Sequence, residues 1–337
     1  MNIKDILNFL SDEVSVGNIT DAKKKAEKLL GQFATIEKND GSDLIGKIEG
    51  ESDYTIMLDA HIDQVAMIVT DVDDKGFLTV ANSGGIDIRM LPSLKVTVHA
   101  KEKVSAVFTA TPPHLSKGEE EFSDISKIKL DSALGEKAKD IISVGDYVTF
   151  ETGTTELLGG KLSGTAFDDR AGVACLIETA RRLSGKKLPV NVVFLFSDGE
   201  ELGLRGIRTA TFRTEPQEAI AVDVSFGDGI GIAPDECGKL GDGAMIGIAP
   251  TLDKAISRKL VATAKENNIP YQTEVMGSTT GTNADMISIT KEGVRTCTLS
   301  IPLRNMHTPN EILDIKDLES VCDILCEYVL SGGVSNA

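Results

Sequence analysis

Toward the two ends of the chain, segments whose apolar residues have helical spacing alternate with segments whose apolar residues have strand spacing. Helical spacing predicts helices over residues 3–10, 20–33, 170–183, 252–267 and 315–330, with a further helical turn at residues 285–289. Runs of β-branched and apolar residues predict strands over residues 44–49, 54–58, 190–196, 219–222 and 296–301. Thr20 is a candidate N-cap of the second helix. Because strands that alternate with helices form parallel sheets covered by helices, the two ends of the chain indicate one α/β domain.

The segment from residue 64 to about residue 155 has a different pattern. It contains short β-rich runs separated by Gly, Pro and Asp, namely VAMIVTDV, GFLTVAN, LKVTVHA, VSAVFTA and DYVTFE. Helical spacing is confined to residues 123–139, and the acidic run GEEEFSD (residues 118–124) is typical of a solvated loop. Runs of this kind predict a small antiparallel β-barrel or sandwich. We therefore expect an α/β domain made of residues 1–65 and 158–337, interrupted by a β domain of residues 66–157.

Composition and charge exclude several classes of function. The 337 residues include 35 Lys and Arg and 52 Asp and Glu, so the formal net charge is 35 − 52 = −17 at pH 7. A chain this acidic repels nucleic-acid backbones and acidic membrane surfaces, so neither partner is expected. The sequence contains no run of 18 apolar residues, so no membrane-spanning helix is predicted. The five cysteines are scattered without a CxxC motif, which favours buried free thiols in a reducing cytoplasm.

Candidate chemistry lies at the ends of the strands predicted for the α/β domain. Ligands of open α/β sheets bind beyond the carboxyl ends of the strands, so side chains from separate segments are expected to meet there. Five segments qualify: YTIMLDAHIDQV with His61 and Asp63, GTAFDDRAGVACL with Asp168 and Asp169, VNVVFLFSDGEELGLRG with Asp198, Glu200 and Glu201, EAIAVDVSFGD with Asp223, and TCTLSIPLRNMHTPNEIL with His307.

Each segment alone also has a simpler explanation. A histidine or aspartate at a strand end often only completes a turn, and either of the adjacent aspartates suits a helix N-cap. The carboxylates at residues 198–201 repel one another unless cations or protons intervene, which favours a functional loop. Taken together, the segments supply two histidines, two terminal carboxylates, one shared carboxylate and a spare glutamate. That set suits two zinc-like ions and a proton shuttle for hydrolysis.

These segments resemble the di-metal aminopeptidases, a family that includes the glutamyl, deblocking and tetrahedral aminopeptidases. Some of its members have been labelled cellulases or endoglucanases. The resemblance runs nearly end to end and preserves the family order of MLDAHIDQVAMIV, GGIDIRML, TPPHLSKG, VGDYVTFE, GTAFDDRAG, DGEELGLRG, AVDVS, KLGDGAMIGIAPTLD, GTNAD and IPLRNMHTP. Any one string is weak, whereas the ordered combination is specific.

The resemblance implies a ligand set for two divalent metal ions per subunit, zinc or cobalt. His61 would bind one ion and His307 the other, and Asp168 would bridge both. Glu201 and Asp223 would complete the two sites.

The resemblance also implies the catalytic roles and the assembly. Glu200 would be the general base that takes a proton from water, and Asp63 would orient the first histidine. A cis peptide is expected between Asp168 and Asp169. The implied fold is a mixed central sheet flanked by helices, similar to zinc exopeptidases, with an inserted β-barrel that forms dimers and, through them, a tetrahedral dodecamer. Peptides would be hydrolysed at their N-terminal bond.

The chain departs from the family pattern at several positions, none of which is an implied metal ligand. Gln64 and Val65 follow the HxD motif where the family usually has Glu and then Gly, and Lys47 stands where the family commonly has Asn. The stretch EVSVGNITDAKKKAEKL also lacks the usual Gly-x-Glu form. These departures concern the substrate rim, the subunit contacts and the metal preference.

Two other functions would use the same side chains. A glycoside hydrolase needs a pair of carboxyl groups at a defined separation and no metal, but the chain has no Trp for sugar stacking. A non-catalytic assembly protein with structural metals would be expected to use closed, cysteine-rich sites. Oxygen and imidazole ligands beside a spare base favour catalysis.

Overall fold

The computed structural model describes residues 1–37, 43–112, 114–115 and 124–335. The chain forms two compact units. The larger unit comprises Met1–Asp63, Gly153–Met306 and Asn310–Ala337, and the smaller unit comprises Gln64–Thr152 and His307–Pro309. The acidic run at residues 118–124, for which a solvated loop is expected, lies outside the described residues except for its last aspartate.

The regular elements of the described residues alternate along the chain as follows. The helices are α1 (Ile3–Ser11), α2 (Asp21–Leu30), α3 (Ala138–Ile141), α4 (Phe167–Leu183), α5 (Arg205–Thr214), α6 (Lys254–Glu266), α7 (Asn283–Ser288) and α8 (Ile315–Leu330). The first eleven strands are β1 (Ser15–Val16), β2 (Ile19–Thr20), β3 (Thr35–Glu37), β4 (Leu44–Ile48), β5 (Thr55–His61), β6 (Ala66–Val72), β7 (Phe77–Ser83), β8 (Lys95–His99), β9 (Lys103–Phe108), β10 (Leu130–Asp131) and β11 (Tyr147–Phe150). The other eight are β12 (Thr154–Glu156), β13 (Lys161–Gly164), β14 (Asn191–Ser197), β15 (Glu218–Phe226), β16 (Ala244–Ile248), β17 (Tyr271–Val275), β18 (Arg295–Leu303) and β19 (Glu311–Asp314). Within the described part of the chain, no helix is both long and apolar enough to cross a membrane.

A mixed sheet of eight strands forms the centre of the larger unit. Its strand order is β17-β16-β18-β15-β5-β14-β4-β3. The four strands β18, β15, β5 and β14 are parallel, whereas β16 runs antiparallel to β18 and β4 runs antiparallel to β14. The carboxyl ends of the parallel strands therefore open at one edge of the sheet, where Ser197 of β14 lies opposite His61 of β5.

Helices cover this sheet because its central strands are apolar along nearly their whole length. All residues of β14 except the first are buried. Helix α4 packs against β5, β15 and α8, whereas α5 and α7 pack against each other and contact β14 and β15. The expected mixed α/β sheet flanked by helices is confirmed.

The smaller unit is a closed barrel of six strands in the order β10-β7-β6-β11-β8-β9. All of its strand pairs are antiparallel. Burial alternates along β8, so that Val96 and Val98 point into a core that also holds Phe108, Val148 and Phe150. The prediction of a small β-barrel is confirmed, and the alternative of a sandwich is not.

Some predicted elements differ from the structure. Helix α2 begins at Asp21 and ends at Leu30, and the side chain of Thr20 makes no capping hydrogen bond. The helical spacing noted over residues 123–139 is realised only in part, since the described part of this stretch forms two short 3-10 turns, β10 and the start of α3. Leu130 and Asp131 pair with the barrel strands β7 and β9, and this pairing overrides the weak helical spacing around them.

Several elements of the larger unit were not predicted from the sequence, among them helix α5 and the strands β16 and β17. Helix α5 buries only Ile207, Ala210 and Thr211, so its apolar face is too narrow to give a clear helical pattern. Strands β16 and β17 contain five residues each, and β17 has no fully buried residue. Short or edge strands of this kind give little periodic signal.

The turn before β16 is held by a buried carboxylate at the start of α8. Asp317 accepts the backbone N–H groups of Gly241 and Gly243, each at 2.8 Å. Both glycines have positive φ, and a Cβ at Gly243 would lie 2.2 Å from the carbonyl oxygen of Pro270. We expect Asp317→Ala to lower the free energy of unfolding by about 1–3 kcal/mol, because it leaves two backbone donors without an acceptor. Urea denaturation followed by circular dichroism measures this change, and an unchanged midpoint would contradict it.

Candidate metal centre

The candidate site lies at the carboxyl ends of the parallel strands in the larger unit. His61 is the last residue of β5, and Asp223 lies near the end of the neighbouring strand β15. Glu200 and Glu201 follow β14, which pairs with β5 on its other side. Asp168 lies at the start of α4, which packs on β5. These strand positions bring together side chains from four separate segments of the sequence.

The imidazole of His61 lies at the centre of the group and is 2 % exposed. Its Nε2 atom is 2.9 Å from Oδ1 of Asp168 and 3.8 Å from Oδ1 of Asp223. Its Nδ1 atom is 3.1 Å from the backbone carbonyl of Asp63 and 3.5 Å from the carboxylate of the same residue. Burial alone lowers the pKa of His61, but hydrogen bonds to Asp168 and Asp63 outweigh burial, so its pKa is raised well above the ordinary value. A ring held at Nδ1 presents Nε2 toward the carboxylates, which is the orientation of a metal ligand.

Asp63 connects this histidine to the acidic loop after β14. Its carboxylate oxygens accept the backbone N–H groups of Glu200 at 3.1 Å and Glu201 at 3.2 Å. The contact between Asp63 and His61 therefore involves the backbone carbonyl as well as the carboxylate, while the carboxylate also positions both glutamates.

The start of α4 has an irregular backbone that presents two aspartates. The peptide bond between Asp168 and Asp169 is cis, as the resemblance implies. Glu311, which is buried, accepts the backbone N–H of Phe167 at 2.6 Å and that of Asp168 at 3.3 Å. Asp169 accepts the N–H of Gly172 at 2.9 Å. The glycine is needed at position 172 because a Cβ there would lie 2.4 Å from the Asp169 carboxylate.

The ligand atoms of these residues are close enough to share a cation. One set, within 4.8 Å of one another, comprises atoms of His61, Asp169 and Asp223. A second set, within the same distance, comprises atoms of His61, Glu200 and Glu201. One imidazole nitrogen and several carboxylate oxygens are the donors that zinc and related divalent ions use in catalytic sites.

The carboxylates at this edge of the sheet are buried and crowded around one imidazole. Burial, followed by the charge of Asp223, raises the pKa of Asp169 well above its ordinary value. Burial also raises the pKa of Asp223 strongly and that of Glu200 to about 7, and the nearby carboxylates add to both shifts. Oδ2 of Asp169 is buried without a hydrogen-bond partner among the described residues. Crowded carboxylates of this kind require protons or a cation, so the residues fit a divalent metal ion.

His307 belongs to the smaller unit. It follows β18 in the sequence and has a positive φ of 61°. Its Nδ1 atom is 2.7 Å from the backbone carbonyl of Gly85. The carbonyl therefore holds one ring nitrogen and fixes the orientation of the ring.

Two functional neighbours were missed by sequence reasoning. Glu311 supports the aspartates of α4 from a segment about 140 residues away, and no local motif indicates this role. Asn283, in the quoted string GTNAD, donates to Asp59 and to the hydroxyl of Ser197, each at 2.8 Å. This buried network includes Asp59, which lies in β5 two residues before His61. The position of Asn283 in a recognised motif was the available signal, but its partners are distant in sequence.

Comparison with known proteins establishes the family. Residues 42–324 match the profile of the family described as M42 glutamyl aminopeptidase. The chain belongs to the M42 family. This membership confirms the resemblance inferred from the ordered motifs, and M42 enzymes are metal-dependent aminopeptidases.

Similar M42 proteins and structures cover most of the chain. A lysyl aminopeptidase of Pyrococcus furiosus is 31 % identical over 278 residues, which cover 79 % of this chain and 78 % of that protein. The structure of aminopeptidase APDkam598 from Desulfurococcus kamchatkensis has a TM-score of 0.91 at 26 % identity and covers 98 % of this chain and 94 % of its own. The TET1 peptidase of Pyrococcus horikoshii, which assembles into a tetrahedron or a large octahedral shell, has a TM-score of 0.87 at 27 % identity. Its alignment covers 98 % of this chain and 99 % of its own.

Proposed function

We propose that this chain is an aminopeptidase that uses two divalent metal ions, zinc or cobalt, to hydrolyse the N-terminal bond of peptides. The observation that carries the proposal is the buried imidazole of His61, 2.9 Å from the carboxylate of Asp168 and 3.8 Å from that of Asp223. Family membership supports the reaction class. The same carboxylates, without a cation, repel one another in a poorly solvated edge of the sheet.

The proposed ligands are those implied by the family motifs. His61 would hold one ion and His307 the other, with Asp168 shared between them. Glu201 and Asp223 would complete the two sites. The hydrogen bond at Nδ1 of each histidine supports this assignment, because it leaves Nε2 as the nitrogen directed toward a metal.

The bound ions would lower the pKa of water and polarise the scissile carbonyl. Glu200 would take the proton from the attacking water and deliver it to the nitrogen of the leaving amine. Asp63 would position this step, because its carboxylate holds the backbone of Glu200 and lies beside His61. The backbone hydrogen bonds keep the carboxylates of this loop in place without involving their side-chain oxygens.

A closed barrel in the smaller unit supports a proposal about assembly. We propose that the β domain of residues 66–157 forms the dimer contact and that dimers assemble into a tetrahedral dodecamer. The similar TET1 peptidase, which assembles into a tetrahedron, supports this assembly. Light scattering on the purified protein should then give about twelve times the 35.9 kDa mass of the chain. We also propose a cytoplasmic location, which the five free cysteines favour.

The reaction class is tested by metal removal and a substrate screen. After dialysis against a chelator, the protein should hydrolyse aminoacyl-4-nitroanilides at less than about 1 % of its original rate, because a metal-activated water is lost. Zinc or cobalt should restore the rate, and the two metals are compared in parallel. A glycoside hydrolase would keep its activity on β-glucan in the chelator, and a non-catalytic assembly protein would bind metal without cleaving any nitroanilide. Either of these results would overturn the proposal.

A further inference from the structure

A cavity of about 330 Å³ in the larger unit is lined by residues at the end of β15, in β16 and in β17. Ser225 and Phe226, at the end of β15, form part of its wall. Met245 and Met276 contribute apolar surface, and Glu274 of β17 contributes a carboxylate. Asp235 and Glu236 also line the cavity, which therefore combines flexible apolar walls with several carboxyl groups.

Among the described residues, the carboxylate of Glu274 is paired with hydroxyl groups and with no cationic side chain. Glu274 accepts the hydroxyl of Ser300 at 2.8 Å and also the hydroxyl of Ser225. Over the described residues, the structure shows no ion pair that includes Glu274. Burial raises the pKa of Glu274, and the two serine hydroxyls offset that increase only in part. A carboxylate has about four acceptor positions, so two hydroxyls leave room for a further donor.

The sheet register connects this carboxylate to the candidate metal centre. Ser300 of β18 lies directly opposite Asp223 of β15 in the parallel ladder. Ser225 follows Asp223 by two residues and shares its face of the strand, about 7 Å farther along. Both hydroxyls that hold Glu274 therefore flank Asp223. A substrate side chain that followed this strand end from Asp223 would approach Glu274.

We propose that Glu274 binds the cationic end of an N-terminal lysine or arginine side chain, so that the preferred substrates are peptides with a basic first residue. The inference rests on the proposed aminopeptidase function. Phe226 and the two methionines would pack along the methylene stem, as apolar surface does around long basic side chains. The net charge of −17 would also favour the approach of basic peptides.

The test compares two substrates that differ in the ammonium group. Lysine and norleucine 4-nitroanilides have the same carbon stem, so their ratio of kcat/KM isolates recognition of the charge. We expect the ratio to favour lysine by about ten-fold or more in the unchanged protein, since hydrogen bonds to charged groups contribute this much. In Glu274→Gln the ratio should fall at least about ten-fold, mainly through KM for lysine.

Two controls separate this inference from the proposed function. In the first control, norleucine turnover by Glu274→Gln reports whether the variant is folded and active. The second control is Glu266→Gln, which changes an exposed carboxylate on α6 outside the cavity. The inference is overturned if norleucine is cleaved as well as lysine, or if Glu274→Gln slows both substrates equally, although the aminopeptidase function then stands. If no nitroanilide is cleaved with either metal, the proposed function fails, and this inference fails with it.

Discussion

Glu200→Gln is expected to lower kcat by about 10²–10⁴-fold while both metal ions remain bound, because general acid–base catalysis contributes this much to enzymatic hydrolysis. The amide of glutamine has nearly the shape of the carboxylate but cannot accept the proton of the attacking water. The backbone N–H of residue 200 still donates to Asp63, so the loop should keep its conformation. Steady-state kinetics on the best nitroanilide and elemental analysis of the same preparation measure the two effects.

The neighbouring glutamate provides a matched control for this experiment. Glu201→Gln makes the same chemical change one residue away, at a position proposed to hold metal. We expect it to weaken metal binding, so that high concentrations of zinc or cobalt recover part of the activity. Added metal should not rescue Glu200→Gln. If the two variants behave alike in both respects, the separate roles of base and ligand are refuted.

The second large effect is expected for Asp168→Ala, which should abolish the binding of both metal ions. A shared carboxylate contributes to two sites at once, and its loss also leaves the remaining ligands without their bridge. Oδ1 of this residue lies 2.9 Å from Nε2 of His61, so the substitution removes the nearest carboxylate from the central imidazole. Elemental analysis after dialysis in metal-free buffer should find less than about 0.2 ions per chain, against about two in the unchanged protein.

Loss of metal must be distinguished from loss of fold. Asp317→Ala removes another buried aspartate of the larger unit, whose partners are the backbone groups of Gly241 and Gly243. This variant should be less stable but should keep both ions. The metal-free Asp168→Ala protein should still unfold in one cooperative urea transition, as the metal-free unchanged protein does, because the substitution leaves the apolar core of the larger unit intact. Retention of one ion in Asp168→Ala would show that this aspartate is not shared.

Much of the candidate site could be predicted from the sequence, because ligands of open α/β sheets bind beyond the carboxyl ends of the strands. His61 and Asp223 each follow an apolar run that becomes a buried parallel strand, and these strands are neighbours in the sheet. Their proximity therefore follows from strand direction and order. Their roles as metal ligands stay a prediction.

Other features depend on partners that no local pattern identifies. Glu311 supports the first turn of α4 from the strand β19, and Asp63 holds the loop that begins after β14. Residues 123–139 have some helical spacing, but Leu130 and Asp131 of this stretch form β10, which completes the barrel. In each case a contact across more than a hundred residues, or competition with strand pairing, determines the outcome.

The amino-acid sequence by itself determined the class of the fold, the β-rich insertion and the identity of the residues with metal-binding chemistry. Periodicity and donor atoms are local properties, so they can be read directly along the chain. Only the tertiary structure decided which oxygen lies nearest His61, which carboxylates are buried close together and how Glu274 reaches the strand of Asp223 through two serines. These features are distances and burial, and they exist only after strands distant in sequence have paired.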